Sequence, residues 1–532
     1  MDADYVIVGA GSAGCVLANR LSADGSRVVL LEAGPRDLHP WIHVPAGVLK
    51  LLHNPLVNWN YASEPNAKTG NRSIHWPRGR VLGGSSSING MLFVRGNPSD
   101  YDSWAQMGCR GWTYEDCLPH FKSIERYAPG DEQHRGKDGP LLIEDYRTTL
   151  PLTHRFVEAA QQAGIPLVKD LSGAKPADGV GYSQMSRNGR FRGSTAQTFL
   201  REARGRANLR IITNALALQL VVDGKRCTGV RYDRMGLQSV VTARREVIVA
   251  SGSIASPHLL QISGIGPAAH LKGIGVEVVH DLPGVGGNLS DHYATRISHR
   301  VKNAVSINEL ARGPKLVAEV AKFVFTGRGA LTFGVSSAQA FTRSREGVDA
   351  PDIQLLFSPA SYDPTKFGAL ERQPGATIAV SIARPDSRGS IMAQSPDPLE
   401  KPVIRPNYLS DANDLRVALA GLAQARKIFA QPAFAQNTAG EICPGPQATS
   451  ETALADYVRA AGTTIYHPVG TCKMGEDPMA VVDSRLRVRG LTGLRVIDAS
   501  IMPAVTTGNT NAPTIMIAEK GAAMIREDAR VG

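Results

Sequence analysis

Residues 5–14 read Tyr5-Val6-Ile7-Val8-Gly9-Ala10-Gly11-Ser12-Ala13-Gly14, and the chain reaches Arg27-Val28-Val29-Leu30-Leu31-Glu32 after one helical pattern. Residues 5–8 are β-rich, residues 12–21 have helical spacing, and residues 27–31 read as a second buried strand. Strand, glycine turn, helix and a strand ending on an acid is the order a Rossmann unit requires. Gly9 allows a tight turn, Gly11 lets backbone approach a pyrophosphate, and Gly14 lets helix pack on strand. The helix N-terminus then faces phosphate with free N–H groups. Glu32 is placed to bind the hydroxyls of an adenosine ribose, which argues against a 2′-phosphate and so against NADP.

Two further buried strands are expected at 247–250 and 494–497, ending in Ser251-Gly252 and in Asp498-Ala499-Ser500. The dinucleotide-binding elements are thus spread over the start, middle and end of the chain. Residues 296–466 differ in character, mixing strand-like stretches such as 376–382 with a helix expected over 414–429. The predicted fold class is α/β, with a discontinuous Rossmann-like lobe and a second α+β lobe for substrate. The expected divisions are 1–295 for the cofactor region, 296–466 mainly for the substrate lobe, and 467–532 for a return to the first lobe.

At 532 residues, two lobes with large cores are expected. No apolar run approaches the ~18 to 20 residues that span a bilayer, and no signal core precedes the first strand. The expected location is the cytoplasm, with peripheral contact at the inner membrane left open. The net charge of +11 suits an anionic membrane or an acidic acceptor protein, but Lys and Arg are dispersed, which argues against nucleic acid. Six cysteines without metal-type spacing read as reduced, buried thiols, and no metal site is expected.

Gly79-Arg80-Val81-Leu82-Gly83-Gly84-Ser85-Ser86-Ser87-Ile88-Asn89-Gly90-Met91-Leu92-Phe93 is too long and too rich in small residues for a surface turn. Such a chain can lie flat on an aromatic ring system. Here the sequence resembles the glucose-methanol-choline (GMC) oxidoreductase family, whose first signature this segment matches. The second signature matches Gly252-Ser253-Ile254-Ala255-Ser256-Pro257-His258-Leu259-Leu260-Gln261-Ile262-Ser263-Gly264-Ile265-Gly266. The resemblance also covers residues 193–196, 467–475 and the closing stretch to Lys520, and is loosest in the middle lobe. In general pattern the chain is similar to bacterial alcohol, polyethylene glycol, sorbose and choline dehydrogenases of that family.

The resemblance implies one FAD, its ADP half on Gly9, Gly11, Ser12, Ala13, Gly14, Glu32 and Ala33. Its ring system is expected near Gly84, Asn89 and the C-terminal loop, with Arg80, Val81, Gly90, Met91 and Leu92 in the same binding set. By the same matching Ala217 offers backbone to adenine, Asp498 and Ala499 lie near the pyrophosphate and ribityl chain, and Asn509 and Thr510 touch the flavin pyrimidine edge. Some relatives attach FAD through a histidine where this chain has Ile88, so non-covalent FAD is expected.

The family pattern places a catalytic histidine at His467, and imidazole, with an ordinary pKa of about 6.5, is neutral yet basic near pH 7. Asn511 stands 44 residues later, where the partner amide is expected. It is also a suitable N-cap for the last helix, running to about residue 525, and both roles can coexist. The implied chemistry is FAD-dependent oxidation of an alcohol held between His467 and Asn511, with hydride passing to flavin N5. Electrons then go to a quinone or other carrier. An oxygen-using oxidase is the alternative, and a flavin-dependent hydroxynitrile lyase a weaker one.

In choline-converting relatives a glutamate falls at Ser337 and a pocket histidine at Leu356, which argues against choline. Ser336, Ser337 and Gln339 suggest a pocket for neutral hydroxyls, whereas Phe333 and Leu356 suit an alkyl or aryl group. Tyr466 either lines that pocket or only packs beside it. The expected substrate is an uncharged alcohol, polyol or sugar.

Overall fold

The computed structural model describes residues 1–174, 177–363 and 368–531. The chain opens as the sequence predicts, with β1 (Asp2–Val8), the glycine turn, α1 (Ser12–Ser22) and β2 (Val28–Glu32). Every residue of β2 is buried, as a parallel strand covered on both faces must be. Among the elements that follow, helix α2 (Pro151–Gln162) and strand β3 (Gly179–Tyr182) belong to the second sheet's layer, and β4 (Leu209–Thr213) returns to the first sheet. A meander of β5 (Ala215–Asp223), β6 (Arg226–Arg234) and β7 (Leu237–Val249) leads into α3 (Gly252–Ile262). The middle of the chain holds β8 (Tyr293–Val301), α4 (Gly313–Thr326), β9 (Ala338–Thr342), β10 (Ile353–Ser358) and β11 (Gly375–Ile382). The remainder holds α5 (Ala412–Phe429), β12 (Thr438–Cys443), β13 (Thr463–Thr464), β14 (Leu494–Val496) and α6 (Asn511–Val531).

The first sheet runs β4-β2-β1-β7-β6-β5, with β14 also paired to β7. Strands β4, β2, β1, β14 and the second half of β7 are mutually parallel. Val8 stands opposite both Leu31 and Val249, and Val249 opposite Val496, so these strands end together. The glycine turn, Ala33, Ser251 and Asp498 therefore gather at the carboxyl edge, where open α/β sheets take their ligands.

The second sheet is antiparallel in the order β12-β8-β11-β10-β9-β3, with β13 paired to β8. Helices α2 and α5 cover one face, in a core that includes Phe156, Val417, Leu422, Ile353 and Ile378. The alternate residues Leu356 and Ser358 of β10, and Thr377 and Ala379 of β11, point to a cavity on the other face.

The expected boundary between 295 and 296 cuts through β8, and β3 of the N-terminal region supplies an edge strand to the second sheet. Strand pairing between distant segments sets that division, and no local composition marks it. Helix α6 also continues past 525 to Val531. Five of the six cysteines are buried and Cys443 is partly so, all as free thiols. Among the described residues no helix is long and apolar enough to cross a membrane, and no cluster of His, Cys, Asp or Glu could hold a metal ion.

Candidate active site

A cavity of about 440 Å³ extends from the carboxyl edge of the first sheet to the inner face of the second. Its first end has the features of a dinucleotide cradle. Gly9 holds φ +98°, and a Cβ there would stand 2.7 Å from the Ala250 carbonyl oxygen. A Cβ on Gly14 would stand 1.8 Å from the Gly9 oxygen, so helix and turn touch backbone to backbone. Gly11 differs, because the nearest protein atom to its Cβ, Gly84 Cα, is 4.0 Å away. Gly11 borders the cavity, and its lack of a side chain keeps that space open.

No side chain caps α1, so its first N–H groups are free to meet phosphate, and Ser12 and Ala13 border the cavity there. The Glu32 carboxylate accepts from Ala10 N–H at 2.9 Å and Gly34 N–H at 2.8 Å while also lining the cavity. Burial pushes its pKa up to about 7 against these two hydrogen bonds. A ribose hydroxyl donating to it would offset that desolvation.

Ala33, Gly84, Asn89, Gly90, Met91, Leu92, Ala217, Asp498, Ala499, Asn509, Thr510 and Asn511 all line the same cavity. Three residues expected in the cofactor set do not. Gly14 is consumed by packing, Val81 is buried with Ile42, Leu51, Val57 and Ile88, and the Arg80 guanidinium lies 4.9 Å from the Trp59 ring centroid. The glycine-rich run turns twice within a few residues, so only part of it faces the ligand.

At the second end stands His467, buried at 8 % exposure. Its Nε2 meets the amide Nδ2 of Asn509 at 3.1 Å, and its Nδ1 meets Nδ1 of His292 at 2.9 Å. The amide beside the histidine is therefore Asn509, not Asn511. Asn511 is the first residue of α6, and its Oδ1 accepts from Ser12 Oγ at 2.7 Å, tying together the N-termini of α6 and α1. A helix start aims two nearby side chains differently, which sequence spacing does not reveal. Both helix N-termini now border the cavity and favour negative charge in it.

The backbone before His467 is held under tension. Tyr466 has φ 73°, in the left-handed region, its N–H donates to Thr464 Oγ1 at 2.7 Å, and its carbonyl accepts from Arg78 Nη2 at 2.6 Å. The His467 N–H donates to Asp291 at 2.8 Å, and Thr464 and Tyr408 hydroxyls donate to the same carboxylate. Burial first, then the His292 ring and Arg78, holds His467 well below the ordinary histidine pKa. It is a neutral imidazole at neutral pH. The sequence reading missed Asp291 and His292, whose neighbourhood arises only from the pairing of β8 with β13.

Ser337 is not a pocket residue. Its Oγ is hydrogen-bonded with Thr153 Oγ1 of α2 at 2.8 Å, on the core side, because alternate residues of an extended chain face opposite ways. Ser336 does border the cavity, but its hydroxyl donates to the carbonyls of Ala338 and Phe357. Ser358 and Thr377 likewise donate to main-chain oxygens, and Gln339 is buried against Ser183 and Gln354. Val335, Leu356 and Ala379 give the cavity wall apolar lining, with Tyr466 and Tyr362 also bordering it. Arg296 is the charged side chain of β8 in this wall, its guanidinium 5.2 Å from the Tyr362 ring centroid.

A dinucleotide cradle and a buried histidine–amide pair facing one cavity can be compared with known proteins. The N-terminal profile of GMC oxidoreductases matches residues 3–294, and the C-terminal profile matches residues 385–518. The chain belongs to the GMC oxidoreductase family. It is 42 % identical over 530 residues to an alcohol dehydrogenase [acceptor] of Pseudomonas putida, covering 98 % of this chain and 95 % of that protein. It is 43 % identical over 528 residues to an oxygen-dependent choline dehydrogenase of Brucella anthropi, again covering 98 % and 95 %. A solved Aspergillus oryzae formate oxidase, studied for its FAD modification, superposes with a TM-score of 0.92 at 25 % identity, covering 100 % of this chain and 99 % of that one. This GMC oxidoreductase has the mixed α/β architecture of such structures.

Proposed function

We propose that this GMC oxidoreductase binds FAD and oxidises a neutral alcohol to its carbonyl, with His467 as the base. The observation that carries the reading is the single cavity that joins the glycine cradle to the His467–Asn509 pair. Gly9, Gly11, Glu32 and the α1 N-terminus would hold the ADP half, and Gly84, Asn89 to Leu92 and Asn511 would border the flavin. Bound FAD supplies the two-electron acceptor for the carbinol hydride.

Substrate hydroxyl displaces the Asn509 N–H from His467 Nε2, and His467 then takes the hydroxyl proton on that nitrogen, which makes the carbon a better hydride donor. Asn509 donates its amide hydrogen to the substrate oxygen as charge develops there. Its orientation is supported from behind, since its Oδ1 accepts from Gln354 Nε2 at 3.5 Å. Arg78 and the N-terminus of α6 favour the negative charge that accumulates at this end.

The wall favours an alkyl or aryl primary alcohol over a polyol or sugar, because its hydroxyls are already engaged within the protein. Arg296 and Arg78 border the cavity and repel a quaternary ammonium, which disfavours choline even though Tyr362 and Tyr466 also line it. An anaerobic panel of hexanol, benzyl alcohol, sorbitol and choline, scored by loss of the oxidised flavin band, tests this. The apolar alcohols are expected to bleach the flavin fastest. Bleaching by choline or sorbitol alone would overturn the substrate class, and none by any alcohol would favour the lyase. With one good alcohol, quinone or dye reduction is expected to exceed peroxide formation.

A lipid-soluble acceptor fits a second feature. Leu316, Val317, Val320, Val324 and Phe325 of α4 are exposed, with Lys315 and Lys322 exposed on the same helix. Phe191 extends this apolar face by packing on Phe323, ring centroids 6.1 Å apart. Such a helix suits shallow insertion into an anionic membrane surface. The protein is expected to co-sediment with phosphatidylglycerol vesicles and the double variant V317E/F325E to stay in the supernatant. Equal sedimentation of both would remove α4 from this role.

A further inference from the structure

The alcohol reading needs His467 to present a bare Nε2, yet imidazole can carry its one proton on either nitrogen. The hydrogen bonds behind His467 decide between them. His292 Nε2 lies 3.0 Å from the main-chain oxygen of Ala383, immediately after β11. A carbonyl oxygen only accepts, so His292 carries its proton on Nε2. His292 is fully buried, and burial lowers its pKa to about 4, so the ring is neutral and its Nδ1 is a lone pair.

That lone pair faces Nδ1 of His467 at 2.9 Å, with the rings at 86° to each other. Two lone pairs at this distance repel, and so do two N–H groups, so one proton lies between the nitrogens and it belongs to His467. The same conclusion arrives from the other side, where Asn509 Nδ2–H donates to His467 Nε2 at 3.1 Å. The chain of donors runs without conflict from Asn509 through both rings to Ala383.

We propose that His292 is a positioning residue that fixes the proton of His467 on Nδ1 and so leaves Nε2 as the base. When a substrate O–H bond breaks and its proton bonds to Nε2, the imidazolium keeps its Nδ1–H on His292. The proton goes no further, because the far side of His292 ends at a peptide carbonyl. The contact selects the tautomer and does not raise basicity, because burial and the His292 ring both hold His467 below the ordinary histidine pKa. Other groups facing the pair are Asp291, Arg78, Tyr408, Tyr466, Arg296 and Asn509. Asp291 holds the main-chain N–H of His467 and Arg78 the carbonyl of Tyr466, which leaves the choice of ring proton to His292.

The proposal rests on the reading of His467 as base only for its kinetic arm. The direct test is two-bond ¹H–¹⁵N correlation on the histidine-labelled holoenzyme, with the His467 signal assigned by its loss in His467→Gln. A protonated Nδ1 and a bare Nε2 are expected for His467, and the reverse for His292. Nε2-protonated His467 would overturn the proposal without any variant having to fold. In the kinetic arm, His292→Leu is expected to lower the limiting rate of anaerobic flavin reduction about tenfold or more, a part of the ~10² to 10⁴ that a general base is worth. KM is expected to change little, which separates loss of the tautomer from loss of the pocket. His292→Asn, which keeps an acceptor oxygen where Nδ1 stood, is expected to recover most of the rate. A His292→Leu enzyme with wild-type rate would also overturn it. Absence of reduction by any alcohol in the wild type would instead refute the alcohol reading, and the spectrum would still judge the tautomer.

Discussion

His467→Ala is expected to retain FAD and to slow anaerobic flavin reduction by a good alcohol ~10²- to 10⁴-fold, the worth of a well-placed general base. The cofactor cradle lies at the other end of the cavity and shares no side chain with this histidine, so flavin content serves as the control. The loss should appear in the limiting rate, because the proton transfer is realised only in the transition state. Asn509→Ala is expected to follow His467→Ala in kind, since its amide touches Nε2 at 3.1 Å. Asn511→Ala is expected to weaken FAD retention instead, because Asn511 joins the starts of α6 and α1 through Ser12. Near-wild-type reduction by His467→Ala would remove the histidine from the chemistry, and a slow Asn511→Ala with full FAD would restore the pairing read from the sequence.

The second large effect is expected at the opposite end. Gly14→Val should purify without flavin and with a lowered melting temperature. Its Cβ alone would sit 1.8 Å from the Gly9 carbonyl oxygen, closer than any contact can tolerate, so α1 must move off the turn. Overpacking of this kind costs about 1–3 kcal/mol, and displacement of the helix start removes the N–H groups that meet phosphate. Full flavin content in purified Gly14→Val would refute this account. Wild-type flavin is expected to leave entirely with the supernatant on acid precipitation, because Ile88 offers no nucleophile and sits in an apolar cluster with Val57 and Val81. Yellow protein in the pellet would show a covalent link elsewhere.

The residues that sequence reading placed well share a physical trait. Gly9 and Gly11 border the cavity through backbone geometry, Gly14 packs helix on turn, and Glu32 presents its carboxylate from the end of β2, so a local pattern specifies all four. Leu356 and Tyr466 were also expected at the cavity and lie there. Ser337 was misplaced because a shift of one residue along an extended chain reverses the side chain. Of the two pocket characters the sequence leaves open, one for neutral hydroxyls and one for an alkyl or aryl group, the inward turn of Ser337 removes a residue from the first.

The sequence by itself determined the Rossmann-like lobe and the family, because strand, glycine turn and helix are encoded within a few turns of chain and both long signatures are contiguous runs. Tertiary structure alone decided which groups surround His467, the base we propose. Asn509 and Asn511 are two residues apart, and the start of α6 sends one to His467 and the other to Ser12. His292 is 175 residues from His467, and only the register of Tyr293 opposite Thr464 brings its ring within hydrogen-bonding distance. A proton's position on imidazole is set by its neighbours in space, and those neighbours are fixed by strand pairing between distant segments.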